Sequence, residues 1–264
     1  MPAAELSRLQ AQISAISTQF DEPRIFFRSL LTLMELYSDQ NYKPGNLSRV
    51  QHLLPEYRLP ALVMQHLSFS LSSLTIEHPF PAMQIMDSLW QSKHFEARLL
   101  AAVMLGSLAV QPLEPVLERI NNWANTGEDK EVINELLISA YRLLRAEKMG
   151  VWLDQINAWL GNDNEGFIKI GLQAINVILN DTNFVNSEKI MPLLEPIVLH
   201  PGISLQQDLL SVIELLVNHS ELETTSFLRS ILVQTKNAEV IRFIRRCLPL
   251  LEKESQKSLK SFMV

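Results

Sequence analysis

The chain has 264 residues, with 47% hydrophobic and 20% charged, a globular balance that excludes a disordered polypeptide. One cysteine, Cys247, excludes an internal disulfide framework and a cysteine-based zinc site. A net charge of −6 argues against a protein whose whole surface grips phosphates, so any basic surface must be local. No apolar run approaches the roughly 18 residues that cross a bilayer, and no signal segment opens the chain, so a cytoplasmic location is expected.

The first 75 residues are helical in pattern but irregular. "AAELSRLQAQISAISTQF" is amphipathic, and Pro23 suits the first turn of the next helix, "PRIFFRSLLTLMELYS". "NYKPGN" is a loop, followed by two expected helices, "LSRVQHLLPEY" and "PALVMQHLSFSLSSL".

From residue 76 the chain repeats. "EARLLAAVML", "VINELLISAY", "FIKIGLQAIN", "SLQQDLLSVI" and "VIRFIRRCLP" start at 96, 132, 167, 204 and 240, so they recur 36, 35, 37 and 36 residues apart. Each follows a second apolar-periodic stretch: "FPAMQIMDSLWQS", "LEPVLERINNWANT", "VWLDQINAWLGN", "SEKIMPLLEPIVLH" and "LETTSFLRSILVQT". Short polar turns join the members of four of these pairs, with Asp129, Asn164, Ser204 and Asn237 placed as N-caps. Two helices per repeat predict an all-α, HEAT-like superhelical solenoid. Residues 1–264 form one domain in this reading, with an N-terminal cap over 1–75 and five helix pairs over 76–264.

In such an array the second helix of each pair lines the concave surface. That places Arg98, Asn134, Lys169, Gln206 and Arg242 in one row, about 10 Å apart, as a candidate groove. "IRFIRR" adds Arg245 and Arg246, with Phe243 interleaved, as a candidate phosphate contact. Solvated inner-helix residues that stabilise adjacent repeats would give the same row. Trp90, Trp123 and Trp159 recur near the ends of first helices and read as packing positions, while Trp152 falls on the opposite side of its helix.

Catalytic signatures are missing. The six histidines show no i, i+4 pair and no HExxH, and the chain lacks GxxxxGK[ST], GxGxxG and GxSxG. Cys247 lies in an apolar helix, as an inert thiol would. No metal or cofactor is expected.

"MDSLWQSKHFEARLLAAVMLG" resembles a segment of the DNA alkylation repair family, the HEAT-like alkylpurine DNA glycosylases, through Leu89–Trp90 and Glu96–Ala97–Arg98. "LPEYRLPALVMQHL" and "FIKIGLQAINVILND" extend the similarity over roughly residues 53–180. The resemblance implies removal of cationic alkylated purines by an Asp, nearby Trp residues and an Arg. The carboxylate stabilises positive charge growing on the sugar, and aromatic faces favour the cationic base. Carried over, the family's Trp-x-x-x-Asp falls on Lys130 and Asn134, and its Arg falls on Ile170. Asn134 offers a dipole where the reaction needs a charge, and Lys130 repels a cationic base. A shift of one turn brings Glu131 or Glu135 to the acid position without restoring the aromatic.

The expected function is therefore a non-catalytic HEAT-repeat binding module with a concave groove for DNA, held weakly through phosphates, or for a protein. The alternative is a divergent alkylpurine DNA glycosylase acting on N3- or N7-alkylated purines. Nothing in the sequence speaks for oligomerisation, so a monomer is expected.

Overall fold

A computed structural model describes residues 3–38, 52–109, 111–184 and 186–263. Most of the described residues are helical, and there is no strand among them. They divide into two compact units, Met1–Glu147 and Lys148–Val264.

The first unit holds α1 (Ala3–Ser17), α2 (Pro23–Leu36), α3 (Ala61–Glu77), α4 (Pro79–Trp90), α5 (Phe95–Leu105), α6 (Glu114–Trp123) and α7 (Lys130–Leu144). Prolines open three of these helices: Pro23 and Pro79 stand first in α2 and α4, and Pro115 second in α6, where a missing amide costs nothing. Each odd-numbered helix packs on the next, α1 on α3, α3 on α5 and α5 on α7. The even helices form a second row. α2 packs on α4, and Arg119 of α6 holds the Asp87 carboxylate of α4 in a two-pronged bond at 2.8 and 2.6 Å. Between the rows lies a core of Leu67, Met86, Leu100, Ile120 and Leu136, all almost fully buried. Gly106 permits the close approach of α5 to α7, because a Cβ there would lie 2.9 Å from Cβ and 3.0 Å from Cα of Ser139.

The second unit holds α8 (Met149–Leu160), α9 (Glu165–Leu179), α10 (Met191–Leu199), α11 (Gln206–His219), α12 (Glu221–Gln234), α13 (Ala238–Cys247) and α14 (Lys253–Lys260). The same alternation holds. α9 packs on α11 and α11 on α13, while α8, α10, α12 and α14 pack in succession. Side-chain bonds join residues one repeat apart. His219 reaches the Leu179 carbonyl at 2.6 Å, the Ser187 hydroxyl donates to Glu223 at 2.8 Å, and the Gln234 amide donates to Glu195 at 2.7 Å.

Every helix expected from residue 76 onward is present. Three of the four predicted caps are also present: Asp129, Asn164 and Asn237 accept the amides of Glu131, Gly166 and Glu239 at 2.8–2.9 Å. Ser204 is different. It sits in a 3₁₀ turn over Ile203–Leu205, and its hydroxyl donates to Glu165 at 2.5 Å, so α11 starts at Gln206, one residue later than a Ser204 cap would set, with no side-chain cap. The stretch read as "LSRVQHLLPEY" also departs from expectation. Residues 47–51 and the predicted loop 41–46 lie outside the described residues, and His52–Pro60 is not helical. Pro55 and Pro60 disfavour the helical region for Leu54 and Leu59, and the amides of residues 57–59 bond to a side chain instead. α14 lies within 76–264 but belongs to none of the five predicted pairs.

Trp123, Trp152 and Trp159 are core residues, the last two meeting edge to face at 5.6 Å. Trp90 is half-buried. No described helix is long and apolar enough to cross a membrane.

Candidate functional site

Phe95, Glu96 and Arg98 stand in the first turn of α5, and each reaches out of the helix. The Glu96 carboxylate is buried and turns back over the preceding chain, accepting the amides of Tyr57 at 2.9 Å, Arg58 at 2.6 Å and Leu59 at 3.3 Å. Three amides converging on one carboxylate require a tight backbone curve, and Arg58 provides it with φ of 57°, a left-handed conformation uncommon for a side-chain-bearing residue. The Phe95 amide donates to the Pro55 carbonyl at 2.9 Å. Upstream, the Phe95 ring stacks on His52 with centroids 3.7 Å apart, and Tyr57 stacks on His94 at 4.2 Å. The extended segment 52–60 is thus a strap bound across the start of α5.

The strap is also bound to α7. His52 Nδ1 lies 3.2 Å from Asp129 Oδ2, and the Leu53 amide donates to the same oxygen at 3.0 Å. Asp129 therefore caps α7 and anchors the strap together. Burial by itself raises its pKa, but the Leu53 and Glu131 amides and the neighbouring His52 outweigh burial and hold the carboxyl below its usual value. Burial, followed by the charges of Glu35 and Glu96, raises the Tyr57 phenol.

Arg98 does not project as an isolated cation. Its Nε donates to the Ser92 carbonyl at 3.1 Å, Nη1 bonds to Glu128, and the guanidinium lies 5.7 Å over the Trp90 ring. Trp90 in turn stacks on Trp123, with centroids 4.5 Å apart and planes 6° from parallel. The Glu128 side chain is only 5% exposed, so Arg98 neutralises a carboxylate that burial would otherwise penalise. Glu128 had no prominence in the sequence. It is an acid in a turn, and only its partner thirty positions away gives it meaning.

On α7, Lys130 and Asn134 are both exposed, one turn apart. Of the acids one turn from the resemblance's alignment, Glu131 is exposed and lies 3.9 Å from His52. Glu135 is half-buried; burial pushes its carboxyl up, partly offset by the Ser139 hydroxyl that donates to it at 3.2 Å and by the charge of Arg142.

The remaining candidates lie in the second unit. Lys169 is exposed on α9. Gln206 opens α11, donating to the Pro201 carbonyl at 3.4 Å and accepting from Arg246 of α13 at 2.5 Å. Arg242, Arg245 and Arg246 are all exposed on α13. Arg242 donates to the Ala238 carbonyl at 3.3 Å and lies 3.9 Å from Glu239. Phe243, the aromatic interleaved in this basic run, is wholly buried with Val240 and Ile244, so it is a core residue and offers no stacking face. Cys247 is buried on the same helix, where burial pushes its thiol up to about 12 despite the charge of Arg246.

Two structural features had no signal in the sequence reading: the strap with its Glu96 and Asp129 anchors, and a cleft of about 610 Å³ between α1 and α3. The chain matches no protein-family model, no curated protein and no solved structure.

Proposed function

We propose that the chain is a HEAT-type α-solenoid that works as a binding module with glycosylase-like architecture and no glycosylase activity. Support for the solenoid comes from the packing inside each unit, where odd helices stack on odd and even on even, with side-chain bonds linking successive repeats.

The observation that carries the non-catalytic reading is the state of the charged groups around the tryptophan pair. Glu128, in the turn that follows Trp123, is neutralised by Arg98, and the two positions where the resemblance calls for Trp and Asp are the exposed Lys130 and Asn134. At those two positions a lysine and an amide stand where a carboxylate would meet a developing positive charge, and the neighbouring Glu131 lies 3.9 Å from His52.

DNA is held weakly in this proposal, through phosphate contacts from Lys169, Arg242, Arg245 and Arg246 of the second unit; a protein with an acidic surface fits the same cations. Fluorescence anisotropy of a labelled duplex over a salt series tests the DNA arm. The expected result is weak binding that falls steeply with salt and is lost in Arg242→Glu/Arg245→Glu/Arg246→Glu. Binding that barely responds to salt overturns it.

A second reading, a divergent alkylpurine DNA glycosylase, draws on the parallel Trp90–Trp123 stack beside the Arg98–Glu128 pair. It requires Glu128 to be released from Arg98 before it can act on a substrate.

A further inference from the structure

α3 carries two apolar faces. Val63, Leu67, Leu71 and Thr75 are buried against the rest of the first unit. On the opposite side Gln65, Phe69, Ser73 and Ile76 are exposed, with Leu62 half-buried beside them; Phe69 is 77% and Ile76 69% exposed. These five positions fall within about 80° of the helix circumference at 3.6 residues per turn, so they form a single stripe. Across the chain one residue in five is charged, yet no Asp, Glu, Lys or Arg occurs from Ala61 to Ile76. An exposed helix face without charge, bearing large apolar residues seven positions apart at 62, 69 and 76, is a surface suited to another helix.

We infer that this stripe is the two-fold interface of a homodimer, in which α3 packs antiparallel on α3 of a second copy with Phe69 at the axis. The sequence of the stripe is symmetric about that residue. A two-fold axis at position 69 sets each residue opposite the one at 138 minus its number. Leu62 then meets the second copy's Ile76, Gln65 meets its Ser73, and Phe69 meets its own counterpart. Apolar faces apolar and polar faces polar along the whole stripe, as an isologous contact requires.

The ends match as well. α3 starts after Pro60 with no side-chain cap, and Glu77, exposed at its last position, falls opposite the second copy's Ala61. A carboxylate is thereby brought to an uncapped helix N-terminus, once at each end of the interface. Two chains of net charge −6 repel each other, and the uncharged face of α3 is where they can approach without placing like charges in contact. The cleft between α1 and α3, whose lining includes Ser14, Ser17, His66 and Phe69 and no Asp, Glu, Lys or Arg, gives the second copy's side chains room beside the ridge.

Sedimentation equilibrium of the full chain over a concentration series, together with cysteine cross-linking, tests the inference. The expected result is a reversible dimer that becomes a monomer in Phe69→Glu and in Ile76→Glu, both with unchanged helix content by circular dichroism. Phe69→Cys should form a disulfide-linked dimer on mild oxidation, since position 69 faces itself and the buried Cys247 does not compete. Leu62→Cys should cross-link to Ile76→Cys when the two variants are mixed, and neither should cross-link alone. A wild-type monomer at every concentration overturns the inference. So does self-cross-linking of Leu62→Cys, which would mean a parallel pair.

Discussion

The Glu96 carboxylate accepts the Tyr57 amide at 2.9 Å across 39 positions of sequence, and the neighbouring amides of Arg58 and Leu59 complete its coordination. That contact gives the charged start of α5 a structural explanation. Glu96 binds the strap that precedes it, and Arg98 binds the turn that leads into α7. Both charges are satisfied inside the first unit.

Replacing Glu96 with Ala leaves three backbone amides without their acceptor, that of Tyr57 buried and those of Arg58 and Leu59 partly so. The expected loss is about 3 kcal/mol, the upper part of the range for unsatisfied buried donors. Urea unfolding measures it, and limited proteolysis should find new cleavage within residues 53–59. A loss under about 0.5 kcal/mol, within the scatter of surface substitutions, contradicts the assignment.

Asp129 gives the stability a dependence on pH. Its folded carboxyl titrates below its usual value, so the unfolded chain takes up the proton more readily. The contribution is complete above the unfolded value of about 3.9 and is lost as pH falls through the folded one. Asp129→Asn should therefore be less stable than the wild type at neutral pH, by about 1 kcal/mol as for a weakened cap, and the gap should narrow below about pH 4. A gap that stays constant as pH falls well below about 4 shows that the charge is not what holds the strap.

Arg98→Ala strands the Glu128 carboxylate in a site where its side chain is 5% exposed. About 3 kcal/mol of destabilisation is expected, the low end for breaking a buried pair, because Arg98 itself is 21% exposed. Arg98→Ala combined with Glu128→Gln should recover part of that loss. A double variant no more stable than Arg98→Ala argues against charge pairing as the cause.

The helices and their period were readable because apolar spacing at 3.6 residues is a local signal. Asp129, Asn164 and Asn237 were readable as caps for the same reason: cap and capped amide lie two residues apart. Ser204 had the same local form and failed, since Glu165, 39 positions earlier, draws its hydroxyl away. Residues 52–57 have the apolar spacing of a helix, but the two prolines disfavour one there, and His52 and Tyr57 stack on Phe95 and His94 instead. At the candidate site the residue types were visible but their partners were not. Arg98 looked like a cation awaiting a ligand, and its ligand is Glu128. Phe243 is interleaved among the arginines in sequence, and the helical turn carries it into the core.

The central claim, a binding module without glycosylase chemistry, is tested most directly by release of 7-methylguanine or 3-methyladenine from alkylated DNA. With Asn134 where the resemblance requires a carboxylate, the lost electrostatic stabilisation lowers the rate roughly 100- to 1,000-fold, about 3–4 kcal/mol. Lys130, exposed one turn away, adds repulsion toward a cationic base. The account predicts release little above spontaneous depurination. Rapid release by the unmodified protein, with a rate that Asn134→Ala leaves unchanged, would contradict it.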